Sequence, residues 1–229
     1  MMMMMMVMVM LMVMVNCLPN KMNLIVIFST RMGAHNKEND DIGTEQDIDV
    51  AQIISHENYK TPLADSNDIA LLKLASPVNI TEKVGLACLP NSRNSLVNKT
   101  CWITGWGTLS SGGNQPNVLM QASVPLVSHQ RCELAHPDGI GDTMMCAGLE
   151  AGGVDACQGD SGGPLVCDFN GKWHLEGVTS FGDGCGNPGK FGVYAKVRVF
   201  MPWISARMNS SNASVPVTLS ATRVTSLGK

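Results

Sequence analysis

Six of the eight cysteines, Cys101, Cys132, Cys146, Cys157, Cys167 and Cys185, fall within the 85 residues 101–185, and no two of the eight form a C-x-x-C pair. An even set at such spacings reads as a disulfide framework built in an oxidising compartment, and the absent C-x-x-C argues against a zinc knuckle. The chain has 229 residues, enough for one compact two-lobed β protein or for one or two ordinary domains. Its 23 glycines, 11 prolines and short apolar runs favour many short strands over long helices. Charged residues are 15% and net charge is -3, which supplies neither a basic patch for nucleic acid nor an acidic tail.

The apolar runs place the strands. Residues 23–28 (NLIVIF), 46–55 (QDIDVAQIIS) and 68–74 (DIALLKL) are rich in β-branched side chains and read as strands. Residues 76–100 carry Pro, Asn and Ser and read as a connector. The strand pattern resumes at 101 with CWITGWG, NVLMQASVPLV, GPLVCDF, WHLEGVTSF and FGVYAKVRV. Residues 199–208 (VFMPWISARM) fit a short closing helix with its proline near the first turn. The segment 209–229, rich in Ser and Thr and poor in large apolar groups, reads as a disordered tail.

Residues 1–15 contain only Met, Val and one Leu. The length suits a signal-peptide apolar region, but a charged start and a small-residue cleavage site are missing. It falls short of the roughly 20 apolar residues of a membrane span. Met, Val and Leu codons can all be single-base variants of one triplet, and this favours a translated simple repeat over a targeting signal. Sequons at Asn79, Asn98, Asn209 and Asn212 fit secretion.

Residues 155–164 read Asp-Ala-Cys-Gln-Gly-Asp-Ser-Gly-Gly-Pro. A Gly-Asp-Ser-Gly-Gly string can be a tight turn and nothing more, because Gly supplies positive φ cheaply. Its company points further. CWITGWG stands upstream, SFGDGCG and FGVYAKV stand downstream, and Asn-Asp-Ile-Ala-Leu-Leu-Lys-Leu precedes them all. In this order, over about residues 24–208, the chain resembles the trypsin/chymotrypsin-type serine peptidases. The resemblance implies an all-β fold of two antiparallel six-stranded β-barrels with a short C-terminal helix. It divides the chain into a lead-in (1–22), a peptidase region (23–208, with 23–100 a truncated first barrel and 101–208 the second) and the tail (209–229).

The resemblance also implies roles. Ser161 is similar to the nucleophile, and the N–H groups of Gly159 and Ser161 to the oxyanion hole, which steadies charge on a tetrahedral intermediate. Asp68 resembles the aspartate that orients the catalytic imidazole; otherwise it is a strand-edge acid bonding nearby backbone. Asp155 is similar to the floor of a trypsin-type specificity pocket, which selects cationic side chains, with Gly182 and Gly192 at the wall positions. Phe181 departs from the usual Trp. The implied bridges are Cys101–Cys167, Cys132–Cys146 and Cys157–Cys185. Cys88 matches a cysteine that in some members links to a segment ahead of the domain, and Cys17 could serve it. Alternatively, Cys17 is the cysteine that follows the catalytic histidine, and Asn16 then stands where that histidine belongs.

Two family features are missing from the 229 residues. No Ala-Ala-His-Cys-like run occurs, and His35, His56, His129, His136 and His174 sit in other contexts, His129 and His136 in a polar loop stretch. No Ile-Val-Gly-Gly-like start occurs either, so Asp160 is expected to lack its ammonium partner. The first barrel is expected to be short of several strands, with an open edge. The implied function is a secreted serine endopeptidase cleaving after Arg or Lys through an acyl-enzyme, inactive as written for want of the histidine. The alternative is a non-catalytic pseudoprotease that binds through the same cleft. Polypeptide substrates or protease inhibitors are the implied partners. The chain is expected to be monomeric and to need no metal, cofactor, nucleic acid or membrane span.

Overall fold

A computed structural model describes residues 29–38, 43, 45–90, 96 and 98–210. The expected strand at 23–28 and the expected disordered tail beyond residue 210 lie outside the described residues. The elements are β1 (Ser29–Met32), β2 (Gln46–Ser55), β3 (Ala70–Leu74), β4 (Thr100–Gly105), β5 (Met120–Pro125), α1 (His129–Ala135), β6 (Met144–Ala147), β7 (Pro164–Phe169), β8 (Lys172–Phe181), β9 (Gly192–Lys196) and α2 (Val197–Ser210).

These strands make two antiparallel sheets. One has three strands in the order β1-β2-β3, so β1 and β3 are edges among the described residues. The other has six, in the order β5-β4-β7-β8-β9-β6. It curls until its outer strands meet, where Val127 N–H donates to Cys146 C=O at 2.9 Å and Gly148 N–H to Pro125 C=O at 3.0 Å. Curling the sheet on itself removes most of its exposed edge. The fold is thus the one the resemblance implies, and three strands of the first sheet, expected to be an incomplete barrel, lie among the described residues.

Inside the six-stranded sheet, Ile103, Val124, Leu165 and Tyr194 pack around the Cys101–Cys167 bridge. Between its outer face and α2, Val166, Leu175, Val178, Phe200 and Ile204 form a second core. Ile69 belongs to that core and Leu71 packs on it, which fastens the entry to β3 against the large sheet. Cys132–Cys146 ties α1 to β6, and Cys157–Cys185 ties the loop before β7 to the loop after β8. Each such bridge contributes roughly 2–5 kcal/mol. Cys88 bonds to no cysteine among the described residues; Cys17 lies outside them.

Three elements depart from the sequence reading. Residues 129–135 form α1 rather than loop; Ser128 caps it, its Oγ accepting from Arg131 N–H at 3.2 Å. β6 is only four residues long and buried throughout, so it shows no alternation. Helix α2 starts at Val197, so Pro202 lies inside it and has no N–H to donate to the Arg198 carbonyl. The first turn of α2 is held instead by an ion pair. Glu176 on β8, with 0% exposure, takes Arg198 Nε at 2.6 Å and Nη2 at 2.8 Å.

Candidate active site

The loop 148–163 joins β6 to β7 and carries Asp155, Gly159, Asp160 and Ser161. It turns tightly: Asp160 N–H donates to Cys157 C=O at 2.9 Å, and Gly163 N–H to Asp160 C=O at 2.8 Å. Gly159 has φ +97°, a conformation that L side chains rarely adopt. Any side chain there would also press on Gln115, whose Nε2 would lie 2.5 Å from its Cβ. The amides of Gly159 and Ser161 donate to no protein acceptor among the described residues.

Asp160 is not left bare. Its Oδ1 accepts from Gly107 N–H at 2.7 Å and its Oδ2 from Cys157 N–H at 3.0 Å. The carboxylate packs so closely on Gly105 and Gly107 that neither position has room for a Cβ. The expectation of an unpartnered Asp160 is therefore met differently: two backbone amides occupy its oxygens.

A cavity of about 210 Å³ lies beside this loop, lined by Ser161, Ser180, Phe181, Gly182 and Gly192 among others. Ser180 is the link to the three-stranded sheet, because its Oγ donates to Asp68 Oδ2 at 2.6 Å. Asp68 Oδ1 is buried and has no hydrogen-bond partner among the described residues. Burial pushes the Asp68 carboxyl above its ordinary range, against the pull of the Ser180 bond. An orphaned buried carboxylate oxygen is costly and is retained where something is meant to bind it.

Asp155 stands directly behind Gly192. A Cβ at Gly192 would lie 2.5 Å from Asp155 Oδ1 and 3.0 Å from Tyr194 Oη. At Gly182 the nearest atom to such a Cβ is Gly184 O at 3.4 Å, an ordinary contact, so only at Gly192 does a side chain collide with Asp155. Asp155 lines a neighbouring cavity of about 240 Å³ with Gly105, Gly107 and Asp160, not the one that Ser161, Gly182 and Gly192 line. Asp155 Oδ1 accepts from Ala156 N–H at 2.8 Å and Oδ2 from Gly186 N–H at 3.1 Å. Burial raises the Asp155 carboxyl above its usual range; those two amides pull it back in part. The Tyr194 hydroxyl is fully buried without a partner, and burial raises its ionisation far above that of a free phenol.

The histidines are engaged elsewhere. His56 packs on Trp203 and Phe200, with ring centroids at 4.9 and 5.5 Å. His136 Nε2 meets Phe191 C=O at 2.9 Å, and His174 Nδ1 meets Lys172 C=O at 3.1 Å. His129 pairs with Glu133 on α1. The His35 carbonyl accepts from Trp106 Nε1 at 3.3 Å. No hydrogen bond or ion pair among the described residues joins the ring of His56, His129, His136 or His174 to Ser161 or Asp68.

The family model described as Trypsin matches residues 15–204 of this chain. The chain belongs to the trypsin family. Among curated proteins it is 46% identical over 165 residues to trypsin-1 of Astacus astacus, an alignment covering 72% of this chain and 69% of that protein. It is 45% identical over 162 residues to transmembrane protease serine 11C of Mus musculus, covering 69% of this chain and 37% of that one. The trypsin-family match begins at residue 15, beside Asn16 and Cys17, which lie outside the described residues.

Two residues beside the candidate site escaped the sequence reading. Ser180 stands in Thr-Ser-Phe-Gly two positions before Gly182, and only its cross-sheet bond to Asp68 marks it. Tyr194 lies in FGVYAKV, where an aromatic in a buried strand reads as core.

Proposed function

We propose that this trypsin-family chain carries the substrate cleft of an exported serine endopeptidase directed at Arg and Lys side chains, and that the 229 residues alone do not turn substrate over. Asp155 carries the specificity part. A half-buried carboxylate behind Gly192, where any side chain would collide with it, attracts a guanidinium or ammonium and rejects neutral or acidic side chains. Ser161 is the nucleophile, with the amides of Gly159 and Ser161 as oxyanion donors. Asp68, held by Ser180, has one oxygen waiting for an imidazole N–H. Without that imidazole nothing takes the Ser161 proton, and a neutral hydroxyl is a weak nucleophile. Three disulfides and the sequons support export.

The cleft can be tested without catalysis. A small aryl amidine, cationic like an arginine side chain, should bind the purified chain and compete with Arg or Lys peptides in calorimetry. Asp155→Ser should weaken that binding by about 2–5 kcal/mol, a factor of roughly 30 or more. The pH dependence has a definite sign. Only the carboxylate attracts the cation, and the Asp155 carboxyl is raised, so affinity should decline with falling pH before the ordinary Asp range near ~4 is reached. Equal binding by the Ser variant, or affinity flat through that range, would remove Asp155 from the specificity role.

A further inference from the structure

The described part of the chain holds three sequons, and their surroundings differ. At Asn79 the backbone is clamped by Gln46, whose Oε1 accepts from Asn79 N–H at 2.8 Å and whose Nε2 donates to Asn79 C=O at 2.9 Å. The hydroxyl of its Thr81 accepts from Lys83 and Val84 amides at 3.2 and 3.1 Å. Asn209 lies in the last turn of α2, with its backbone in a helix. Asn98 is unlike both. It occupies a turn closed by Lys99 N–H to Leu96 C=O at 3.2 Å, with φ +52°, a left-handed value that Asn tolerates. Asn98 is exposed, as Asn79 and Asn209 are, and so is Thr100 at the start of β4. Neither the Asn98 carboxamide nor the Thr100 hydroxyl makes a hydrogen bond to another described residue.

The turn is anchored on both sides. Leu126 N–H donates to Lys99 C=O at 2.9 Å, and Lys99 Nζ sits 4.5 Å above the Phe169 ring. Beside Asn98 lies a cavity of about 280 Å³ that is separate from the cleft holding Ser161. Leu96, Leu126, Met144 and Met145 give it apolar walls; His129 and Lys196 give it polar ones. This volume is at the small end for ligand pockets, suited to one ring rather than an extended ligand. A hexosamine has the matching chemistry: an apolar ring face and acetamide methyl, with hydroxyls and an amide for the polar rim.

We propose that Asn98 is an N-glycosylation site and that the first sugar of its glycan seats in this cavity. The step joins Asn98 Nδ2 to the anomeric carbon of an N-acetylhexosamine-headed oligosaccharide. The anomeric C–O bond to a lipid diphosphate carrier breaks, the diphosphate leaves with the electron pair, and one Nδ2 proton is released. Carrier and transferase belong to the export pathway, so the proposal rests on the reading of the chain as exported. The seated sugar covers apolar surface at Leu96 and Leu126 that solvent otherwise reaches, over the buried Met144 and Met145.

The test expresses the 229-residue chain behind a cleavable secretion leader in a eukaryotic cell, beside Asn98→Gln. Peptide:N-glycosidase converts a glycosylated Asn to Asp, which peptide mass mapping reads at each sequon. Expected are conversion at Asn98 but not at Asn79 or Asn209, and loss of the glycan mobility shift in Asn98→Gln. Hydrogen exchange at residues 126–129 and 144–146 should be slower in the glycosylated protein than in that variant. An unmodified Asn98 overturns the site; intact Cys101–Cys167, Cys132–Cys146 and Cys157–Cys185 bridges in that sample would leave export standing, and reduced ones would bring it down too. Equal modification of Asn79 or Asn209 overturns the discrimination between sequons. A glycan at Asn98 with unchanged exchange overturns the seat.

Discussion

Joining a trypsin-family N-terminal segment, with its histidine and a free Ile-Val-Gly-Gly start, ahead of residues 23–208 should raise kcat on Arg and Lys esters by on the order of 10⁶ over the 229-residue chain. That is the size of the loss when the histidine is removed from an analogous triad, and an oxyanion hole with binding alone retains only about 10³–10⁴ over water. The parts awaiting the imidazole are already near one another: Ser161 and Ser180 line one cavity, and Ser180 holds Asp68. The new ammonium has a counter-charge in Asp160, whose two amide bonds leave carboxylate lone pairs to spare. Ser161→Ala in the chimera should abolish the gain, because the nucleophile is gone. A folded chimera that binds the amidine but gains no activity would show that Ser161 and Asp68 are not arranged as proposed.

Glu176→Ala should lower the unfolding free energy by about 3–5 kcal/mol, the usual cost of stripping one partner from a buried ion pair. Glu176 is fully buried and grips Arg198 through both oxygens, and the Arg198 side chain is 18% exposed. Its removal leaves the guanidinium without that counter-charge under the first turn of α2 and opens a cavity between β8 and the helix. Phe200 and Ile204, two turns of α2 that belong to the core over β8, should loosen with it. Urea unfolding measures the effect. Glu176→Leu with Arg198→Met should recover most of the loss, since an apolar replacement of a buried pair is often neutral. A loss under about 1 kcal/mol in the single variant, the level of a surface pair, would mean the ion pair is not what fixes α2.

Much of this was legible in the chain. β2 occupies the run QDIDVAQIIS from end to end, because β-branched residues spaced along a half-buried strand leave a clear signature. The loop with Ser161 was legible because its chemistry demands glycines where side chains cannot fit, as at Gly159 and Gly163. What escaped was set by distant contacts. β6, four buried residues, becomes a strand only by pairing with β9. The helix α1 has seven residues and a single capping serine, too short for a 3.6-residue period to show. Ser180 gains its meaning from Asp68, 112 positions earlier, and Glu176 from Arg198 on another element. The Asp160 carboxylate was expected bare, because the Gly107 amide that meets it lies 53 positions away.

The proposed trypsin-family cleft holds a nucleophile, Ser161, and no base to activate it. Hydrolysis of a lysine ester by the purified chain and by its Ser161→Ala variant, after both are shown to bind the amidine, measures this. Identical, background rates are expected for the two. Turnover that the unsubstituted chain shows and Ser161→Ala lacks would contradict this, because one of the five histidines or another group would then be taking the Ser161 proton.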